Sequence, residues 1–217
     1  MDILVKDIVK SPKLEIYYKE IENIILDERR KREKFYREIK EDDKVEFING
    51  EVFLNSPVKS EHNIIAVLLS RLISTYVDKN KLGYVGFDKI LISLSRNDYE
   101  PDICFFNKEK SDNFHSKQMQ FPAPDFIAEV LSPSTEYNDR VIKFEDYAVH
   151  RVDEYWIIDP ETKIIEQYFL KNEIYELSLK SDNGIVKSKA VTDFEIPIIA
   201  VFSEDENLKT LKNILNK

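Results

Sequence analysis

Glu129 interrupts the apolar run Phe126-Ile127-Ala128-Glu129-Val130-Leu131, and Asp102 opens the apolar stretch Ile103 to Phe106 directly after Pro101. A carboxylate inside such a strand costs free energy unless it is paired, hydrogen-bonded or bound to a cation. Two acids at the ends of sheet strands can share a divalent ion. Hard cations such as Mg²⁺ take oxygen ligands, often one or two carboxylates with water and substrate phosphate completing the shell. The same two acids can equally be isolated groups satisfied by backbone amides, water or ion pairs. Lys143 follows on the next predicted helix, four residues after Asp139 and four before Tyr147, so the three share one helix face. That face can be solvated. Folded back over the end of the Glu129 strand, it places an ammonium beside the carboxylates, able to orient a water and offset charge developing at a phosphate.

Periodicity and punctuation give the elements that must position these groups. Residues Ser11 to about Lys40 read as one long helix. Ser11 caps it, Pro12 suits the first helical position, and Leu14, Tyr17, Ile21, Ile24, Ile25, Phe35 and Ile39 recur at roughly helical spacing. The charged run Asp27 to Lys34 is either a solvated face or an arm that packs on a partner subunit. Asn49-Gly50 between Val45–Ile48 and Glu51–Leu54 predicts a hairpin. Ser60 caps a helix with Ile64, Ile65, Leu68, Leu69, Leu72, Ile73 and Tyr76 as its apolar positions, and Gly83 falls just past its end. Strands are predicted within 84–94, 101–106, 126–131 and 155–158, with 107–124 a polar loop. A helix is predicted from Asp139 to about His150, a hairpin of 164–170 and 174–179 around Lys171-Asn172, and a short helix near Asn207 to Leu215. Strand, helix, strand between 126 and 158 predicts a crossover unit in a mixed sheet.

Other chemistries are set aside by spacing and composition. His115 and His150 have no metal-ligand spacing with His62, and Gly83-Tyr84-Val85-Gly86 lacks the Gly-Lys-Ser/Thr ending of a phosphate loop. Cys104 reads as a small buried hydrophobe and Trp156 as core. One cysteine precludes an intramolecular disulfide and suits a reducing cytoplasm. No apolar run reaches bilayer length, and residues 1–10 make a poor signal peptide, so no membrane association is expected. The net charge of −9 excludes a general nucleic-acid coat. Metal-mediated phosphate binding would reconcile that charge with a nucleic-acid substrate.

Several segments in order carry a family pattern: Glu46 to Glu51, Ser56-Pro57, His62, Pro101-Asp102, Glu129 to Thr135, Asp139, Lys143, Tyr147, and Glu154 to Pro160. Together, over about Tyr36 to Val201, they resemble the Uma-type restriction endonuclease domain family of the PD-(D/E)XK nuclease superfamily. The runs Glu129 to Thr135 and Glu154 to Pro160 are the specific parts. The resemblance implies an α/β (α+β) fold with a restriction-endonuclease-like mixed sheet flanked by helices. It implies Mg²⁺- or Mn²⁺-dependent hydrolysis of phosphodiester bonds, with DNA as substrate. It makes Asp102 the acid of the Pro-Asp element and Glu129 the second acid. The superfamily's usual lysine would fall at Leu131 and is missing, and Lys143 matches the replacement on the following helix. Glu51 matches a frequent acidic position as a further ligand or supporting group. His62 matches a frequent histidine, whose plain reading is a helix-terminus hydrogen-bonding residue. Arg151 stands where the family often has glycine, which should alter the turn after the Lys143 helix and can bring a cation near the site.

The expectation is a metal-dependent endonuclease in which Asp102, Glu129 and the Val130 carbonyl hold the ion. Lys143 positions or deprotonates water, and its removal should leave folding intact. The competing expectation is a non-catalytic binding or assembly protein that keeps the fold. Residues 1–35 are expected as a helical arm, 36–201 as the nuclease-like domain and 202–217 as a helical tail. A homodimer is expected, because cutting two antiparallel strands calls for two matching sites.

Overall fold

The computed structural model describes residues 3–40, 43–54 and 57–216. In chain order the elements are α1 (Ile3–Lys10), α2 (Leu14–Glu38), β1 (Val45–Ile48), β2 (Glu51–Leu54), α3 (Ser60–Asn80), β3 (Gly83–Phe87), β4 (Leu91–Ser93), β5 (Asp98–Tyr99), β6 (Ile103–Asn107), α4 (Lys108–Ser111), β7 (Gln120–Phe121) and β8 (Phe126–Val130). A π-helical turn (Asn138–Ile142) then runs into α5 (Lys143–Val149). It is followed by β9 (Glu154–Asp159), β10 (Ile164–Lys171), β11 (Ile174–Ser181), β12 (Ile185–Lys187), β13 (Glu195–Pro197), a 3₁₀ turn (Ile198–Val201) and α6 (Glu204–Asn216). The architecture is mixed α+β, with sheets flanked by helices. The chain forms two units: Met1–Asn55 with Arg96–Asp98, and Ser56–Ser95 with Tyr99–Lys217.

In the first unit, the helix expected from Ser11 to about Lys40 is present as α2, and a further helix, α1, precedes it. Proline lacks an amide hydrogen and restricts the residue before it, so α1 stops ahead of Ser11-Pro12 and α2 starts after it. Ser11 Oγ accepts the Lys13 N–H at 3.1 Å within that break instead of capping the long helix. Asn49 and Gly50 both take positive φ (51° and 83°), the geometry a two-residue hairpin demands, and β1 and β2 pair in register around them. Arg32 makes a two-pronged ion pair with the fully buried Asp98 at 2.6 and 2.9 Å, and Tyr36 donates its hydroxyl to the same carboxylate at 2.7 Å. Asn97 Oδ1 accepts the Asn49 N–H at 2.8 Å, stitching the segment 96–98 to the hairpin turn. The apolar positions expected on the arm are mostly open: Leu14, Ile21, Ile24 and Ile25 are exposed, and Phe35 is buried.

The second unit is built on a six-stranded sheet in the order β11-β10-β9-β8-β6-β3. The expected crossover is present, for β8 and β9 run parallel and the other pairs are antiparallel. Period-two alternation sorts β8 between two layers. Phe126, Ala128 and Val130 join the core under α3, with Trp156, Ile158, Phe194 and Ile196. Ile127 and Glu129 therefore face the layer of α5. On α3, Ile65, Leu68, Leu69, Leu72, Ile73 and Val77 are buried, whereas Ile64 is exposed. Lys81, not Gly83, supplies the left-handed residue that ends α3 (φ 55°). Gly83 has a different constraint: a Cβ there would lie 2.0 Å from the Phe106 carbonyl oxygen. The expected loop 107–124 contains α4 and β7, and Phe114 and Phe121 pack their rings against Tyr84 and Phe106. The β10–β11 hairpin turns at Asn172-Glu173, one residue later than expected, with both at positive φ.

Arg151 does not alter the turn after α5. It adopts the left-handed conformation itself (φ 62°), with Val152 N–H bonded to the Tyr147 carbonyl at 3.0 Å. Its guanidinium pairs with Glu173 at 2.8 Å, both side chains largely exposed, and no hydrogen bond ties it to Asp102, Glu129 or Lys143. An L-residue in that region costs about 1–2 kcal/mol, more than an exposed ion pair returns. Arg151→Gly is expected to raise unfolding free energy by about 1 kcal/mol in urea titration.

Glu166 carries a pH signature. Burial pushes its carboxyl up, but hydrogen bonds from Arg140, Tyr168 and Lys180 outweigh burial and hold it at about 2, below the ordinary 4.5. A depressed carboxylate contributes its full stability above the unfolded value and loses it as pH falls from 4.5 towards 2. Glu166→Gln is therefore expected to flatten the loss of stability across that interval, measured by urea denaturation at stepped pH.

Candidate active site

The ends of β6 and β8 lie side by side. Their register pairs Ile103 with Ala128, so Asp102 and Glu129 are the next residues on the two antiparallel strands. They are locked reciprocally. Glu129 Oε2 accepts the Asp102 N–H at 3.1 Å, and Asp102 Oδ2 accepts the Val130 N–H at 2.8 Å. Two side chains thus take over the strand-end ladder bonds, which holds both carboxylates where the sheet opens.

Lys143 reaches this point from the junction of the π turn and α5. Its ammonium donates to Glu129 Oε1 at 3.0 Å and lies 3.0 Å from Asp139 Oδ1, all three side chains being no more than 4% exposed. The Asp139 contact is an ion pair without hydrogen-bond alignment, for that oxygen has no hydrogen-bond donor. Tyr147, one turn further along, donates its hydroxyl to Glu129 Oε1 at 3.3 Å, and Tyr155 donates to the Asp139 carbonyl at 2.9 Å. Tyr99 lies under the ammonium, ring centroid 5.9 Å away, and donates its hydroxyl to Asp146 at 2.7 Å. Burial first, and then the charges of Glu129 and Asp139, push the Tyr155 phenol well above its ordinary value, so it stays a donor. The α-helix expected from Asp139 begins as a π turn. One extra residue per turn leaves little trace in an apolar pattern, and such turns recur at functional sites.

The structure therefore brings Asp102, Glu129, Val130 and Lys143 together. Glu51 belongs to the first unit, exposed at the start of β2. The expectation that Lys143 can be removed without affecting folding does not fit its position. A buried ammonium between two buried carboxylates leaves uncompensated charge when it is deleted. Cys104 is fully buried, and burial above all raises its thiol, in keeping with a packing role. Sequence reasoning missed the cleft beside these groups. It measures about 170 Å³ and is lined by the start of α3 (Lys59, Glu61, His62), the turn after β8 (Leu131, Ser132, Pro133) and the end of β9 (Asp159, Pro160). Its only sequence signal is the pair of prolines closing two neighbouring parallel strands, Pro133 and Pro160.

Two carboxylates, Glu129 and Asp139, thus flank the Lys143 ammonium, and Asp102 is cross-bonded to Glu129 beside them, a setting of oxygen donors. That donor set fits a hard divalent cation with an incomplete protein shell. Among the described residues no three His, Cys, Asp or Glu side chains form a metal-holding group on their own, so the remaining ligands would be the Val130 carbonyl, water and phosphate.

The sequence model of Uma2, described as "Putative restriction endonuclease", matches residues 32–198. The chain belongs to the Uma2 family. Two similar proteins come from Synechocystis sp. (strain ATCC 27184 / PCC 6803 / Kazusa). "Uncharacterized protein sll1609" is 31% identical over 134 residues, covering 61% of this chain and 75% of that one. "Uncharacterized protein slr1290" is 29% identical over 135 residues, covering 60% and 68%. A crystal structure of "a putative nuclease belonging to DUF820" from Anabaena variabilis ATCC 29413 superposes with a TM-score of 0.67 at 17% identity, over 82% of this chain and 97% of that one. At that identity the likeness is one of fold alone.

Proposed function

We propose that this Uma2 chain is a Mg²⁺- or Mn²⁺-dependent endonuclease that hydrolyses phosphodiester bonds in DNA. The observation that carries the reading is the buried Lys143 ammonium on Glu129, with Glu129 cross-bonded to Asp102 at the open end of the sheet. Asp102, Glu129 and the Val130 carbonyl would hold the ion. When bound, the ion lowers the pKa of its water and polarises the scissile phosphate. Lys143 orients the attacking water and balances charge developing on the phosphate, and Tyr147 fixes the Glu129 carboxylate that sets the Lys143 position. No helix among the described residues is long and apolar enough to cross a membrane, and a reducing cytoplasm is the proposed setting.

The test is nicking of supercoiled plasmid with Mn²⁺ or Mg²⁺. Wild type should cut, and Asp102→Asn and Glu129→Gln should not. A second reading, a non-catalytic protein on the nuclease fold, is favoured by the missing third side-chain ligand. Binding of DNA without cutting in either ion would support it and sink the first.

A homodimer is part of the proposal. The open apolar positions Ile16, Ile21, Ile24 and Ile25 on α2 support it, since a long isolated helix needs a packing surface. Sedimentation at micromolar concentration should give a dimer that weakens when 1–35 are removed, and a monomeric full chain would refute it.

A further inference from the structure

His62 sits in the first turn of α3, where an imidazole ordinarily faces water or bonds the helix terminus. It does neither. Its side chain is 9% exposed, and Nε2 lies 3.1 Å from Asp102 Oδ2. The pair is at ion-pair distance without hydrogen-bond alignment. Nδ1 is buried with no hydrogen-bond partner. A histidine kept for stability alone has both nitrogens satisfied, because an unpaired buried polar atom costs about 1–3 kcal/mol. This ring is held for its Nε2 contact. Asp102 Oδ2 is thereby met from two layers, by the Val130 N–H of β8 at 2.8 Å and by the His62 Nε2 edge of α3 at 3.1 Å. One contact leaves a carboxylate free to swing about Cβ–Cγ, whereas two from different directions restrict it. The same ring forms part of the wall of the cleft beside β8 and β9.

We infer that His62 is a positioning residue that sets the Asp102 carboxylate for divalent-cation binding. The inference rests on the metal-dependent reading of the site. Groups that orient a metal-binding carboxylate are worth about 10–100-fold in metal affinity. Side-chain length separates a polar contact with Asp102 from space filling. In His62→Gln the side-chain amide nitrogen can occupy the position of imidazole Nε2, whereas in His62→Asn it stops at the position of Nδ1.

The experiment is Mn²⁺ titration of the full chain without nucleic acid, by calorimetry or by electron paramagnetic resonance of free Mn²⁺. His62→Ala is expected to weaken binding about 10–100-fold, His62→Gln to recover most of that loss, and His62→Asn to recover little. Melting temperatures of the metal-free variants are read alongside. If His62→Ala does not fold, the contrast between the glutamine and asparagine variants decides. Wild-type affinity in His62→Ala, or equal recovery by His62→Asn and His62→Gln, overturns the positioning role and leaves the metal site standing. Absence of Mn²⁺ binding by wild type overturns the metal reading itself, and the role of His62 with it.

Discussion

Lys143→Met is expected to abolish metal-dependent cleavage and, as a separate effect, to destabilise the metal-free protein by about 3–5 kcal/mol, the usual cost of deleting one partner of a buried ion pair. The two losses have different causes. Cleavage fails because the ammonium held on Glu129 Oε1 no longer orients water, a role worth about 10²–10⁴ in rate. Stability falls because Glu129 and Asp139 are left buried and negative within reach of one another. Divalent ion should therefore recover much of the lost melting temperature in Lys143→Met while cleavage stays absent, since a bound cation stabilises only the folded state. The double variant Lys143→Met with Glu129→Gln removes one of the two charges and should be more stable than Lys143→Met alone. Plasmid nicking and thermal melts with and without Mn²⁺ measure both effects. A Lys143→Met protein that cuts at the wild-type rate would show that another group activates the water.

Glu154→Leu is expected to lower unfolding free energy by about 4–5 kcal/mol, the upper range for a single substitution. Glu154 is wholly buried at the start of β9 and serves five donors. Oε1 accepts from Trp156 Nε1 at 2.6 Å and Gln167 Nε2 at 2.7 Å. Oε2 accepts from Ser188 Oγ at 2.7 Å and from the amides of Lys189 and Ala190 at 2.8 and 2.9 Å. Leucine fills much of the space but leaves these donors buried without an acceptor, each costing about 1–3 kcal/mol before relaxation. Urea titration at neutral pH is the measurement, and a loss under about 1 kcal/mol would show that the segment 188–190 finds other partners. Glu154 heads a family-specific run, yet its carboxylate is consumed in joining β9, β10 and the segment before β13.

Much of the local structure was legible because its causes are local. Asn49-Gly50 dictates the β1–β2 turn through backbone sterics, and the apolar spacing of Ile65, Leu69, Leu72 and Ile73 makes α3 a core helix whatever surrounds it. The crossover from β8 to β9 follows from strand and helix lengths. Where one signal serves two ends, the reading was partial. Ser11-Pro12 marks a helix start, and α2 does begin just after it at Leu14, yet the same pair also ends the preceding helix α1. Lys81 and Arg151 occupy left-handed positions that glycine normally takes, so composition could not mark those helix ends.

The acids were visible for an energetic reason: a carboxylate in an apolar strand must be compensated, and Asp102 and Glu129 announce that requirement whatever the partner. Parity within β8 also fixed that Glu129 faces away from Ala128 and Val130. Which groups compensate them is not written locally. Lys143 Nζ meets Glu129 across 14 positions, Tyr147 across 18, and Asp102 bonds the Val130 amide across 28. His62 approaches Asp102 from another layer. Spacing along one helix could place Lys143, Asp139 and Tyr147 on a common face, but whether that face met water or carboxylates depended on where β8 packed beneath it. Hydrogen bonds and ion pairs fall off within a few ångströms, so their partners are set by the packing of whole elements, which short-range sequence patterns do not encode.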